Sequence, residues 1–210
     1  MTADRLDHVS GDRSHWNDRY STIGAESVSW YEPHPRLSLA MLERSGIVPP
    51  ASVLDVGGGA SSFARALVGR GFDDVTVLDL SDDALAIARQ GLERPDDVEL
   101  IAGDVTAWTP SRAWDLWHDR AVFHFLTEPS QREAYRRALS TALAPGGAVA
   151  IATFAPDGPE QCSGLPVIRY SPDDLLIELG DGFHEVASGR AIHTTPNGST
   201  QPFSWVVATR

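Results

Sequence analysis

Three carboxylates and a run of three glycines carry the first chemical signal in this chain of 210 residues. "VLDVGGGASSFARAL" (53–67) takes an apolar stretch into Asp55, turns through Gly57, Gly58 and Gly59, and continues with helical spacing. Glycine lacks a Cβ and tolerates positive φ, so such a turn lets a ligand approach the backbone closely. Asp79 ends "VTVLDL", about twenty residues after Gly59, a spacing that suits a carboxylate accepting hydrogen bonds from ribose hydroxyls. Asp104, in "AGDVTAW", follows a third apolar run, where it could accept from the exocyclic amine of adenine. Each acid alone is an ordinary loop or cap residue, and the glycines alone are an ordinary strand-to-helix turn. Together they line one edge of a crevice at the carboxyl ends of successive strands, as a nucleoside site requires.

The charge of the ligand follows from Asp55. The glycines match Gly-x-Gly-x-x-Gly only through its second glycine, and Ser62 stands at the third. A carboxylate beside a pyrophosphate would place two anions in a low-dielectric crevice. A nucleoside bearing positive charge fits better, and S-adenosylmethionine has a sulfonium and an ammonium against one carboxylate. The competing enzyme class is an NAD-dependent oxidoreductase, and a cofactor-binding module without catalysis is a further alternative.

The elements that must position these acids alternate. Strand-like "SVLDVG", "VTVLDL", "VELIAGD", "AWDLWHD" and "AVAIATF" are separated by helical "SSFARALVGRG", "DDALAIARQGL" (Ser81 as cap) and "SQREAYRRALSTAL", the last closed by Gly146-Gly147. That alternation predicts right-handed crossovers and a parallel sheet covered on both faces. "SPDDLLIELG" predicts a helix capped by Ser171. Two extended stretches follow, joined at Asn197-Gly198, which fits a tight antiparallel hairpin because both residues tolerate positive φ. The fold class is therefore α/β: a Rossmann-like, mostly parallel seven-stranded sheet with a C-terminal antiparallel hairpin and helices on both faces. Ahead of it, residues 1–11 are expected to fray, 13–20 to form a short helix, and "HPRLSLAMLERSG" a second one.

"VLDVGGG", "VTVLDLS", "AGDVTAW", "WDLWHDRAVFHFL" and "LAPGGAVAIATF" resemble, in order, the motifs of class I S-adenosylmethionine-dependent methyltransferases over roughly residues 50–155. The flanking "HWNDRYSTIGAESVSWYEPHP" and "FAPDGPEQCSGLPVIRYS" resemble an uncharacterised bacterial branch. A looser similarity runs to lysine methyltransferases of elongation factors, through the early aromatic elements and the pair Asp119-Arg120. The resemblance implies that Gly57 and Gly59 pass near the methionine part of S-adenosylmethionine and that Asp55 orients the loop or the ammonium group. It also implies that Asp79 holds the ribose with Leu80 on the adenine, that Asp104 and Val105 reach the base, and that the backbone at His118 and Asp119 faces the ammonium and the methyl.

A sulfonium methyl is already activated, so the protein must chiefly position the acceptor, exclude water and remove a proton if one remains. Trp16, Arg19 and Tyr20 share one short helix, with Trp16 and Tyr20 on one face. They are expected to meet the cofactor, as a lid or as an amphipathic segment stapled to the core. Trp30 and Tyr31 are expected to wall the acceptor site. Residues 1–34 thus read as a lid segment and 35–210 as the methyltransferase domain of a single globular unit. His124, a few residues beyond the fourth strand, is the candidate general base, with packing as the alternative; Asp119 joins it as a catalytic candidate. The long connection 154–170 offers Phe154, Cys162 and Arg169 to a substrate. The remaining histidines show no ligand-like pairing, and no metal is expected. The acceptor reads as a small molecule offering N, O or S, with a protein lysine as the alternative.

The formal net charge of −12 argues against nonspecific nucleic-acid binding, which needs a basic surface. No apolar run reaches membrane-spanning length, and the first residues lack the order of a signal peptide. A single cysteine forms no internal disulfide. These features predict a cytoplasmic protein without a membrane partner, and they leave its oligomeric state open.

Overall fold

The structure, a computed structural model, describes residues 12–210; the expected frayed segment 1–11 lies outside the described residues. The elements are α1 (Arg13–Ile23), α2 (Arg36–Ser45), β1 (Val53–Val56), α3 (Phe63–Val68), β2 (Val75–Asp79), α4 (Asp82–Gln90) and β3 (Val98–Ala102). Then come β4 (Trp114–Arg120), α5 (Pro129–Ala142), β5 (Leu143–Phe154), α6 (Pro172–Leu179), β6 (His184–Thr194) and β7 (Thr200–Thr209). The seven strands lie in the order β3-β2-β1-β4-β5-β7-β6. β1 to β5 pair in parallel, whereas β7 runs antiparallel to both β5 and β6. The chain order reverses between β1 and β4, and ligands of open α/β sheets bind outside the carboxyl ends of strands at that point.

Strand alternation sorts the core into two layers. Val53, Leu116, Ala148, Ala150, Ala152 and Val207 face α2 and α3, with Phe63 and Leu67. Leu54, Trp117, Val149, Ile151 and Val206 face the other way, onto Tyr135 and Leu139 of α5 and Leu175 of α6. Burial on both faces explains the nearly continuous apolar runs of the central strands. The same parity decides where the acids of β1 and β4 point.

Helix starts follow the expected chemistry. Ser81 Oγ accepts from Ala84 N at 3.1 Å at the head of α4. Ser171 and Asp174 bond reciprocally at the head of α6, which saves two otherwise orphaned donors. Two details differ from expectation. Gly146 and Gly147 do not close α5; they lie inside β5, which begins at Leu143, where its register against β4 shifts. In the terminal hairpin only Gly198 has positive φ (85°). Asn197 instead bends the turn with its side chain, accepting from Ser199 N at 3.1 Å and from the Thr195 hydroxyl.

α1 packs on α4: Ser81 Oγ donates to Asn17 Oδ1 at 2.7 Å, and Arg13 pairs with Asp82. This sets the cover over the carboxyl ends of β1 and β2. No helix among the described residues is long and apolar enough to cross a membrane.

Candidate cofactor and acceptor cleft

A cleft opens over the carboxyl ends of β1, β2, β3 and β4. One end is built from strand ends. Asp79, the last residue of β2, accepts from Ser81 N at 2.7 Å and from the amides of Gly59 and Leu80. Its withdrawal from bulk water raises its carboxyl to about 7 against those bonds, and the charge of Asp55 adds to the rise. Gly59 has φ 44°, and a Cβ there would stand 2.9 Å from Asp79 Oδ2 and 3.0 Å from the Tyr20 hydroxyl. Gly57 has φ 65°, and a Cβ there would meet Val122 Cγ2 at 2.0 Å. Both glycines are therefore required by conformation and by space. Leu80, Asp104 and Val105 line the same end. Asp104 Oδ1 accepts from the amide (2.8 Å) and hydroxyl (2.7 Å) of Thr106, which fixes the turn after β3.

The acids of β1 and β4 divide by parity. Asp55 and His118 are register partners on one face, and Asp55 Oδ1 lies 2.7 Å from His118 Nδ1. Asp55 sits under the glycine turn, since a Cβ on Gly58 would come within 2.3 Å of its Oδ2. It orients the loop from below and does not line the cleft. His118 faces a second, adjoining recess shared with Tyr31, Ser61, Ser62 and Arg120. Asp119 points to the opposite layer. It accepts from Val122 N (2.8 Å), Phe123 N (3.1 Å) and the Tyr135 hydroxyl (2.7 Å), whose oxygen accepts from Trp117 Nε1 (2.8 Å). Burial raises Asp119 to about 6 despite these donors. Its work is to fold the segment after β4, which corrects the expectation of a catalytic side chain there.

The other end of the cleft is aromatic. Trp16, Tyr20, Trp30 and Phe125 line it, with Trp16 edge-on to Trp30 (5.8 Å) and Phe125 (5.1 Å). Trp30 Nε1 donates to the Tyr20 hydroxyl at 3.2 Å. Arg19 is turned away from these rings and donates to the Ser163 carbonyl at 2.6 Å, tying the cover to the loop after β5. Cys162 lines the cleft, and burial pushes its thiol up to about 12, with Arg19 and Arg120 opposing only in part. Tyr31 walls the adjoining recess.

Three expected acceptor-side residues lie elsewhere. His124 is fully buried and lines neither recess. Its Nδ1 accepts weakly from Phe154 N (3.4 Å), and burial drives its imidazole down to about 3. Phe154 packs in the core against Phe203 and His124. Arg169 braces its own loop through the Gly158 carbonyl and Glu160.

Residues outside the expected site complete the cleft. Arg120 lines both recesses, donating to Glu32 Oε2 (3.1 Å) and to the Trp30 carbonyl (2.6 Å). Its parity with His118 was the available signal, because alternate residues of β4 share a face. Glu32 is reached in turn by His193.

Residues 53–147 match the family described as a methyltransferase domain. Trans-aconitate 2-methyltransferase of Rhizobium meliloti is 30% identical over 132 residues, which are 62% of this chain and 49% of that protein. The match therefore spans about half the length of that relative. Among solved structures, an S-adenosylmethionine-dependent methyltransferase from Anabaena variabilis superposes with a TM-score of 0.74 at 18% identity, covering 100% of this chain and 97% of that one. The N-methyltransferase NodS of Bradyrhizobium japonicum, in complex with S-adenosylhomocysteine, gives 0.69 at 16% identity over 92% and 98%. At these identities the structures speak for the fold. The domain match runs from the glycine turn through the acid-bearing strand ends to β5, on the sheet order found here. Over residues 53–147 the chain thus matches a methyltransferase domain, carried on the Rossmann-like fold that these S-adenosylmethionine-dependent methyltransferases share.

Proposed function

We propose that the cleft binds S-adenosylmethionine and that the chain transfers its methyl group to N, O or S of a small-molecule acceptor. When bound, the cofactor supplies a methyl already activated on a sulfonium. The observation that carries this reading is the joining of two ends in one cleft: a ribose-competent carboxylate with its glycine turn, and an aromatic box closed by the cover. Asp79 accepts from the ribose hydroxyls, Leu80 and Val105 pack on the base, and Asp104 faces its edge. Trp16, Tyr20 and Trp30 exclude water, which strengthens every polar contact inside. Residues 12–34, the described part of the expected lid segment, act as the lid over this domain.

The cleft also bears on the acceptor. Cys162 is held as a thiol and His124 is sealed in the core, so neither is suited to take a proton. The reading favours an acceptor that already offers a lone pair at neutral pH, such as a carboxylate or a weakly basic amine, with Arg120 at the wall to meet an anionic group. Trans-aconitate 2-methyltransferase, by its name, acts on a carboxylic acid, which supports this choice. A lysine acceptor draws no support from Asp119, because that side chain lies in the other layer of the core. One cysteine without a partner suits the cytoplasm.

The test is calorimetry with S-adenosylhomocysteine and NAD, followed by product mass spectrometry on small carboxylates, amines and thiols. Binding of S-adenosylhomocysteine alone, with one class gaining a methyl mass, is the expected result. Binding of NAD, or methylation confined to protein, would refute it.

A further inference from the structure

His193 sits on β6, the outermost strand, yet it is 5% exposed and reaches the cover. Its Nε2 is 2.7 Å from the Ser29 carbonyl and its Nδ1 is 2.9 Å from Glu32 Oε1. A carbonyl oxygen only accepts, and so does an ionised carboxylate. Burial works against the ionised form of Glu32, but the bond from His193 and the guanidinium of Arg120 outweigh it and hold its carboxyl below the usual range. With both partners restricted to accepting, both ring nitrogens must donate, and the ring in this arrangement is an imidazolium.

The stretch so held is the wall of the cleft. Trp30 and Tyr31 stand between Ser29 and Glu32, and Arg120 donates to the Trp30 carbonyl as well as to Glu32. Glu32 faces His193 directly, and β7 brings the ring of Phe203 edge-on to the imidazole at 6.3 Å. Arg120 from β4 and Arg36 from α2 act on Glu32 as well, so three cationic groups serve one carboxylate.

We propose that His193 is a positioning residue whose doubly protonated ring clasps the Trp30–Tyr31 wall of the cleft. Loss of either proton turns a ring lone pair toward an oxygen that can only accept. One tie is then replaced by repulsion, and the cover is left to Arg120 and to the Ser62 hydroxyl, which donates to the Glu32 carbonyl at 2.9 Å.

The consequence for ligand affinity rests on the cofactor reading above; the clasp itself does not. Nitrogen-15 spectra of the histidine rings in the full chain, assigned with His193→Gln, test the clasp directly. Both His193 nitrogens should be of the protonated type in the folded chain. Calorimetry with S-adenosylhomocysteine gives the effect on the cleft. Asp79 titrates in both proteins, so the ratio of wild-type to His193→Gln affinity isolates the clasp. That ratio should be about tenfold. Glu32→Gln offers the ring a partner that can also donate, so a neutral ring fits and one of the two nitrogens should lose its protonated character. A single neutral tautomer in the wild-type chain, or an affinity ratio near one, would overturn the proposal. If S-adenosylhomocysteine binds at no pH, the cofactor reading fails while the ring spectra still judge the clasp.

Discussion

The two ends of the cleft are assembled by opposite means. At the nucleoside end, Gly57, Gly59, Asp79 and Asp104 each lie within a few residues of a strand terminus, and neighbouring amides satisfy the acids. At the cover end the ties are distant in sequence: Arg120 to Trp30 across 90 residues, Arg19 to Ser163 across 144, His193 to Glu32 across 161. A site made by strand ends is rigid once its sheet forms. A site made by long-range clasps depends on each of them, and it can be tuned without disturbing the sheet.

The sharpest break of this comparison is at Gly57. Alanine there combines positive φ with an overlap on Val122, so Gly57→Ala should lower stability by about 2–4 kcal/mol and abolish cofactor binding. Thermal melts and calorimetry would show both; a variant that binds normally would mean that the turn is not rigid.

Next in size is Asp79→Asn. Loss of a charged acceptor should weaken S-adenosylhomocysteine by about 1.5–3 kcal/mol. The folded carboxyl titrates near 7, above its ordinary range, so the fold binds this proton more tightly than the unfolded chain does. The wild-type contribution to apo stability therefore falls as pH rises from about 4 to about 7, while ribose binding, which needs the carboxylate, improves. In the Asp79→Asn variant both trends should vanish, and its apo form should melt above wild type at about pH 8. Parallel trends in stability and affinity would refute the assignment.

Smaller effects belong to the cover. Trp30→Ala should lower kcat/KM for the acceptor by about 1–2 kcal/mol through lost ring contacts, with the melting temperature nearly unchanged. An equal loss in cofactor affinity with no change at the acceptor would move Trp30 to the nucleoside end. The smallest effect on rate is expected at His124. Gln in its place should leave single-turnover rates within about threefold of wild type, in contrast to the hundredfold or larger loss typical of a positioned base. A hundredfold loss in a folded variant would return His124 to catalysis.

Legibility followed the same division. The strands, the switch point and the nucleoside-end residues announce themselves in short motifs, because local spacing alone decides them. Asp55 reads as an acid of the crevice and Asp119 as a catalytic candidate, and only parity against paired strands puts the one beneath the turn and binds the other to Tyr135. His124 has the right position in the chain for a base, but the packing of Phe125 and Phe154 around it is a tertiary fact. Nothing in the sequence near Glu32 announces His193, since a pair so far apart has no period or spacing to betray it.

The placement of the clasp on the penultimate strand gives the fold an order in time. The glycine turn, Asp79, Asp104 and Val122 have all left the ribosome long before residues 184–209, which supply both the clasp and the partner for the outer edge of β5. Until β7 arrives, that edge presents the unpaired backbone of Ala148–Phe154, a template for unwanted strand pairing. The nascent chain thus completes the strand-end side of the cleft before the last tie on its cover can form. A nucleoside captured at that stage would brace β1 to β4 against misassociation during the interval when β5 is still open.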